Sequence, residues 1–193
     1  MKRRFVILDR DGTLIFERHY LSDPRQVELI PTVPESLRAL SRKGFGIIVI
    51  TNQSAIGRGF FDLARLARIH QRLHELLHAH GVRLDGVYFC PHTPDDRCRC
   101  RKPQPGLIEV AARELGFEPH ESFVIGDKAC DIELGKRVGA TTFLVRTGYG
   151  AQEEREQTAC PDFVVDSVWD AVPIIERLHS SDISMAKTEG SHS

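Results

Sequence analysis

Short apolar runs recur along the chain, and polar or turn residues follow each of them. Runs of this length that are rich in Val, Ile and Phe are typical of strands. Because most of the runs are apolar at nearly every position, they indicate strands covered on both faces, as in a parallel sheet. The predicted strands are Phe5–Leu8, Phe45–Ile50, Val87–Phe89, Ser122–Ile125, Thr141–Val145 and a late edge strand at Phe163–Val165.

Segments with helical periodicity fill the intervals between these strands. The clearest begins after Asp62, which can cap it, ends at Gly81 and keeps its apolar residues on one face. Further helices are predicted over 34–43, 107–115 and 132–138, and a glycine follows each of them. Alternation of strands and helices predicts a doubly wound α/β fold with a mostly parallel sheet.

The size and composition of the chain predict one compact domain. The chain has 193 residues, 41% of them hydrophobic, and a formal net charge of −1. We expect the domain to span 1–179, and a disordered tail over 180–193, where apolar residues are few. The balanced charge disfavours nucleic-acid binding.

The apolar runs also bear on cellular location. None approaches the roughly 20 residues that cross a bilayer. The run after the basic N-terminus stops at Asp9, too early for a signal-peptide core. We therefore expect a cytoplasmic protein with no membrane partner, and a monomer, because no extra interface element is visible.

Polar segments follow four of the predicted strands. Because the carboxyl ends of parallel strands share one edge of the sheet, we expect these segments to meet in one cleft. Each alone is also ordinary turn or capping chemistry, so the prediction depends on their ordered recurrence. The segments are Asp9 to Thr13, Thr51 to Ser54, Arg101 to Pro103 (after a longer loop) and Gly126 to Lys128.

The residue types in these segments suit phosphoryl transfer. Carboxylates can hold Mg²⁺, which offsets the repulsion between a phosphate dianion and an anionic nucleophile. Asp9 can then attack phosphorus, while Asp11 can protonate the leaving oxygen and later deprotonate water. Supporting roles follow for Thr51, Asn52 and Lys102 as ligands of the phosphoryl oxygens and for Asp127 in the metal shell.

The four segments together resemble the haloacid dehalogenase superfamily of phosphatases, over the chain up to about Gly150. The resemblance implies a Rossmann-like fold, with Asp9 as nucleophile and Asp11 as general acid and base. It also implies Mg²⁺ bound by the Asp9 carboxylate, the Asp11 backbone carbonyl and Asp127. No large insertion separates the segments, which implies that a large cap domain is absent and that the cleft accepts an extended substrate.

A second cluster combines Cys90, His92, Cys98 and Cys100. Thiols this dense in a cytosolic chain favour metal binding over disulfides, and a Cys₃His set suits a structural, tetrahedral Zn²⁺. The alternative is four unconnected side chains in an Arg-rich loop. Because Lys102 follows directly, the zinc would fix the loop that aims this lysine at the phosphate.

Three histidines, His70, His74 and His78, recur at one-turn spacing in the helix predicted after Asp62. This spacing can bind a metal, but no carboxylate or thiol joins them on that face. We interpret them as a solvated flank of the helix.

Within this superfamily, two subfamilies of phosphatases share a zinc-bound loop of this kind, and the chain resembles both. One acts on heptose bisphosphate and the other on histidinol phosphate. Ser54 favours the heptose subfamily, because the histidinol-phosphate enzymes typically have aspartate there. The implied reaction removes the 7-phosphate of D-glycero-D-manno-heptose 1,7-bisphosphate, a small sugar phosphate, on the route to activated heptose for lipopolysaccharide and surface glycans. The predicted substrate-binding residues are Glu17, Arg18, His19, Tyr20, Asn52, Gln53, Ser54, Arg101 and Lys128.

Two hypotheses of another kind compete with a phosphatase. A signalling receiver domain also gathers carboxylates, Thr and Lys at strand ends, but its phosphate-accepting aspartate follows a middle strand, without the Asp-Gly-Thr context. A zinc-bearing binding module without activity would not need the complete pair Asp9 and Asp11.

Overall fold

Six parallel strands form one sheet in the computed structural model, which describes residues 2–189 and the side chains up to residue 181. The strand order is β3-β2-β1-β4-β5-β6, and all five strand pairings are parallel. The predicted α/β fold with a doubly wound sheet is therefore confirmed. The strands are β1 Phe5–Leu8, β2 Gly46–Asn52, β3 Gly86–Cys90, β4 Phe123–Gly126, β5 Thr141–Val145 and β6 Phe163–Val165.

Helices cover both faces of the sheet. Alternate residues of the central strand β1 point to opposite sides: Val6 packs in one apolar core and Ile7 in the other. This arrangement explains why most of the strands are apolar at nearly every position. The helices are α1 Val33–Arg42, α2 Ser54–Gly57, α3 Leu63–Ala79, α4 Gly106–Leu115, α5 Ala129–Arg137, α6 Gly150–Glu156 and α7 Val168–Glu189.

Three of these helices were not predicted from the sequence. Helix α2 is a single turn, and α6 is polar along most of its length, so neither has an apolar face to recognise. Helix α7 continues to Glu189, so the predicted boundary at residue 179 falls inside a helix. The tail predicted to be disordered, 180–193, thus begins inside this helix, and its residues 190–193 lie outside the described part of the chain.

The connection between β1 and α1 stays close to the end of the sheet. Ile15 bridges Asp11 on one side and Leu29 on the other, which folds this segment into a small flap. Within residues 2–189 the strands form a single sheet, and no separate cap domain is inserted, as the sequence predicted. None of the helices in this range has the combination of length and apolar character that spanning a bilayer requires.

Candidate active site

The candidate site lies where the strand order reverses, between β1 and β4. In open α/β sheets, ligands bind at such a switch point, outside the carboxyl ends of the strands. Asp9 directly follows β1 and Asp127 directly follows β4. The backbone N–H of Asp9 donates to the carbonyl of Ile125 at 3.0 Å, so β4 also fixes the start of the loop that follows β1.

A cleft of about 280 Å³ opens above these strand ends. Of the residues predicted to act on the substrate, Arg18 lies elsewhere: its guanidinium pairs with Glu28 at 2.7 Å on the surface. Lys102 is 4% exposed and Asp127 is fully buried. The predicted residues that line the cleft are Asp9, Asp11, Glu17, His19, Tyr20, Thr51, Asn52, Gln53, Ser54, Arg101 and Lys128.

A buried ion-pair centre holds Lys102 between two carboxylates. Its ammonium lies 2.7 Å from Asp9 Oδ1 and 2.6 Å from Asp131 Oδ1, and it donates to the carbonyl of Ile50 at 2.7 Å. Burial opposes the charged form of Asp9, but Lys102 and Lys128 outweigh burial and lower the pKa of Asp9. Asp9 is therefore kept ionised, as a nucleophile requires.

Asp131 was missed by the sequence reasoning, although it is 1% exposed and contacts Lys102 directly. Burial raises its pKa to about 6, against the effect of Lys102. Its Oδ2 also accepts the backbone N–H of Lys128 at 3.1 Å and so caps α5. Gly126 permits this approach, because a Cβ there would lie 2.3 Å from Asp131 Cβ. The sequence signal that could have identified Asp131 was its position four residues after Asp127.

Asp127 offers one carboxylate oxygen to the centre. Its Oδ2 accepts the backbone N–H of Tyr149 at 2.9 Å, whereas its buried Oδ1 has no hydrogen-bond partner among the described residues. Burial, followed by the charges of Asp9 and Asp131, raises the pKa of Asp127 to about 8. Gly148 leaves room for this carboxylate, since a Cβ there would lie 2.2 Å from Oδ2.

The three aspartates of the centre suit a hard divalent cation. One carboxylate oxygen each from Asp9, Asp127 and Asp131 lies within 4.8 Å of the others. Mg²⁺ prefers such oxygen ligands. The unpartnered Asp127 Oδ1 and the crowding of negative charge are the features that fit Mg²⁺.

Asp11 is held by two neighbours at the floor of the cleft. Arg10, which is 1% exposed, donates from Nε and Nη2 to Asp11 Oδ2 at 3.1 and 2.7 Å. Gln53 donates from Nε2 to the same oxygen at 3.0 Å, and its Oε1 accepts from Arg10 at 3.0 Å. The carboxylate of Asp11 is therefore oriented before any ligand binds.

The interpretation of the histidines on α3 is wrong for His70. Its side chain is half-buried, and Nε2 lies 3.2 Å from Nη1 of Arg10. His74 and His78 are exposed, as expected. The difference arises because the middle of α3 packs beside Arg10 in the loop that follows β1, which sequence spacing does not show.

Asn52 holds the backbone of Lys102 rather than only facing the cleft. Its Oδ1 accepts the Lys102 N–H at 3.0 Å, and its Nδ2 donates to the Lys102 carbonyl at 3.2 Å. This pair of hydrogen bonds ties the loop after β3 to the end of β2. It explains how a lysine distant from its strand end reaches Asp9.

The outer rim of the cleft joins the 17–20 turn to the segment after β5. Lys128 Nζ lies 3.1 Å from Glu17 Oε2 and 4.7 Å from the centre of the Tyr149 ring. The Tyr149 hydroxyl hydrogen bonds with His19 Nδ1 at 3.1 Å. Both His19 and Tyr20 have left-handed backbone conformations, with φ of 39° and 50°. The rim therefore presents an imidazole, a phenol and an ammonium towards the cleft.

The cysteine cluster lies beside the cleft, on the loop that carries Lys102. The Sγ atom of Cys100 is 3.3 Å from Cys90 Sγ, 3.4 Å from Cys98 Sγ and 3.2 Å from His92 Nδ1. Tetrahedral zinc, with Zn–S of about 2.3 Å and Zn–N of about 2.0 Å, separates its ligand atoms by roughly 3.5 to 3.8 Å. Burial opposes ionisation of Cys98, but hydrogen bonds from Cys100 and Cys90 lower its pKa to about 7. The four ligand atoms fit zinc.

The parallel sheet and the carboxylates at its switch point fit an α/β phosphohydrolase. A family model described as HAD-hydrolase-like matches residues 99–171. Together with relatives 36% and 38% identical over 91% and 86% of this chain, this match shows that the chain belongs to the haloacid dehalogenase-like hydrolase family.

Relatives extend this similarity over nearly the whole chain. The D-glycero-beta-D-manno-heptose-1,7-bisphosphate 7-phosphatase of Haemophilus ducreyi is 36% identical, covering 91% of this chain and 100% of that protein. The enzyme of the same name from Photorhabdus laumondii is 38% identical, over 86% of this chain and 91% of that protein.

A solved structure of an enzyme of this kind is also similar to the chain. The D,D-heptose 1,7-bisphosphate phosphatase from B. bronchiseptica, complexed with magnesium and phosphate, superposes with a TM-score of 0.83. It is 29% identical to this chain and covers 92% of this chain and 99% of its own.

Proposed function

We propose that this protein is a Mg²⁺-dependent phosphatase that removes the 7-phosphate of D-glycero-D-manno-heptose 1,7-bisphosphate. The observation that carries the proposal is the buried pair of Asp9 and Lys102, set beside the free oxygen of Asp127 at the floor of the cleft. The names of the relatives support the substrate. The product, heptose 1-phosphate, is a precursor of activated heptose for lipopolysaccharide and surface glycans.

Asp9 is the proposed nucleophile. Its carboxylate attacks phosphorus, the bond from phosphorus to the sugar oxygen breaks, and the phosphoryl group becomes attached to Asp9. Asp11 acts here in its protonated, carboxylic acid form: it gives that proton to the departing sugar oxygen, which then leaves as an alcohol. Asp11, now a carboxylate, takes a proton from the water that hydrolyses the aspartyl-phosphate and releases inorganic phosphate.

Mg²⁺, held by the Asp9 carboxylate, the Asp11 backbone carbonyl and Asp127, would supply positive charge that offsets the repulsion between Asp9 and the phosphate. Lys102 supplies a further positive charge beside Asp9, and Asp131 holds that lysine in place. Thr51 and Asn52 line the cleft, and their polar groups would bind phosphoryl oxygens as charge moves onto them.

The second phosphate of the substrate needs its own cations. Arg101 and Lys128 line the same cleft and are the proposed partners of that distal phosphate. Glu17, His19 and Tyr20 line the rim, where sugar hydroxyls would lie.

The cysteine cluster is proposed to bind one structural zinc ion. Cys90, His92, Cys98 and Cys100 fill a tetrahedral shell and leave no position for a substrate. Arg101, the next residue, donates to the carbonyl of His92 at 3.2 Å. The zinc would thereby order the segment that carries Arg101 and Lys102. Five free cysteines fit the reducing cytoplasm, and we propose a monomer.

The test is a comparison of phosphate release from heptose 1,7-bisphosphate, in its α and β forms, and from histidinol phosphate, each with Mg²⁺. We expect a higher kcat/KM for the bisphosphate and loss of turnover when Mg²⁺ is chelated. A clear preference for histidinol phosphate would overturn the choice of substrate. Release from no monoester at all would overturn the phosphatase itself.

A further inference from the structure

We propose that His70 is a positioning residue for proton transfer: it anchors Arg10, which in turn orients the carboxylate of Asp11 towards the leaving oxygen. This inference deepens the proposed function and rests on it. His70 lies on α3, outside the set of residues that line the cleft.

The hydrogen bonds of Arg10 show why a partner is needed. The guanidinium is almost fully buried, and its Nε and Nη2 groups are used by Asp11 and Gln53. The remaining nitrogen, Nη1, lies 3.2 Å from Nε2 of His70. A buried N–H without an acceptor is costly, so His70 fixes the one end of Arg10 that Asp11 does not hold.

The surroundings of His70 keep it an acceptor. Its ring meets Phe89 edge-on, with the ring centres 5.8 Å apart, which restricts its rotation. Burial, followed by the charge of Arg10, lowers the pKa of His70 to about 3. The imidazole is therefore neutral at neutral pH, and because Nη1 of Arg10 can only donate, the contact selects the tautomer with its proton on Nδ1 and a lone pair on Nε2. Because a neutral imidazole carries no charge, the positive charge of Arg10 interacts mainly with Asp11.

Loss of this acceptor would affect one chemical step in particular. Without His70, the Nη1 end of Arg10 must turn to another acceptor, and the hydrogen bonds to Asp11 shift with it. Proton donation depends on close alignment with the leaving oxygen. A sugar oxygen must be protonated to leave, whereas p-nitrophenolate leaves without a proton. The defect should therefore depend on the leaving group.

The experiment compares His70→Leu, His70→Gln and His74→Leu with the wild type. For each, kcat/KM is measured with the sugar bisphosphate and with p-nitrophenyl phosphate, since this ratio reports the first phosphoryl transfer. We expect His70→Leu to lose about 10-fold or more with the sugar substrate and less than about 3-fold with the aryl ester.

The other two variants test the acceptor itself. Gln can present an oxygen near the position of Nε2, so His70→Gln should recover most of the sugar activity. His74 is exposed one turn further along α3, so His74→Leu should match the wild type. Thermal unfolding of each variant separates a folding defect from a catalytic one.

Several outcomes would overturn the inference. Equal losses with both substrates would indicate general damage, and wild-type activity in His70→Leu would show that the contact is dispensable. If His70→Leu fails to fold, His70→Met, which has a similar size and no strong acceptor, takes its place: unequal losses support the inference and equal losses overturn it. Wild-type enzyme that releases phosphate from neither ester would overturn the proposed function as well.

Discussion

The carboxylate centre under the cleft and the cysteine cluster beside it are both sets of ionisable side chains, but their supports differ. Asp9 follows the central strand β1, which pairs with β2 and β4, and it is buried with Lys102. In the cysteine cluster, Cys90 alone belongs to a strand; His92, Cys98 and Cys100 lie in a loop whose residues are mostly exposed. The sheet prepares the first site, whereas we propose that a bound zinc ion orders the second.

The largest effect is expected at the carboxylate centre, from Asp9→Asn. The amide lacks the negative charge of the nucleophile, so turnover should fall by about 10⁴-fold or more. Steady-state phosphate release and the circular dichroism of the variant are the measurements. The fold should persist, because β1 and its apolar cores hold the loop.

Asp95→Asn provides the matched control for that change. Asp95 is an exposed carboxylate in the cysteine loop, and its loss should leave turnover unchanged. Substantial activity in Asp9→Asn would refute covalent catalysis by Asp9. An unfolded Asp9→Asn protein would refute the claim that the sheet alone prepares this site.

Asp131→Asn is expected to have the next largest effect. Lys102 then loses one of its two carboxylate partners and pairs more closely with Asp9, which weakens the nucleophile. We expect kcat to fall about 100-fold. Glu133, which is exposed on the same helix, supplies the control variant Glu133→Gln. An unchanged kcat in Asp131→Asn would remove Asp131 from the catalytic centre.

These residues also show what a sequence can predict. The apolar runs predicted all six strands, and the parallel order then placed Asp9, Thr51 and Asp127 at one edge. The close spacing of Cys90 to Cys100 likewise predicted the second cluster. Both predictions follow from local pattern and one topological rule.

Contacts between distant segments were not accessible in this way. The approach of Asp131 to Lys102 depends on the missing side chain of Gly126, and the hold of Asn52 on Lys102 joins residues 50 positions apart. The contact of His70 with Arg10 spans 60 positions. Each depends on how a helix or loop returns to the sheet, which periodicity does not encode.

Cys98→Ser tests the other half of the comparison. Loss of one thiolate should lower the bound zinc measured by atomic absorption and lower the unfolding midpoint by about 5 °C or more. Activity should fall by only about 10-fold, because Asn52 and the buried carboxylates still hold Lys102. In Cys98→Ser we therefore expect a clear loss of thermal stability and a modest loss of activity. In Asp9→Asn we expect the reverse, a large loss of activity with the fold retained.

Cys160→Ser is the control for Cys98→Ser, since Cys160 is an exposed thiol outside the cluster. Its zinc content and unfolding midpoint should equal those of the wild type. A zinc-free protein with full stability and activity would show that the loop is ordered without an ion, and the contrast between the two sites would then disappear.

The smallest effect is expected at the rim, from Tyr149→Phe. This change removes the hydroxyl that bonds His19 but keeps the ring beneath Lys128. If the rim orients the distal part of the substrate, KM for the bisphosphate should rise about 2- to 3-fold, with kcat unchanged. In the double variant with His19→Gly, Tyr149→Phe should add nothing further, because their shared hydrogen bond is already lost. A similar rise in KM for p-nitrophenyl phosphate, which lacks a distal phosphate, would show instead that the rim acts on the carboxylate centre itself.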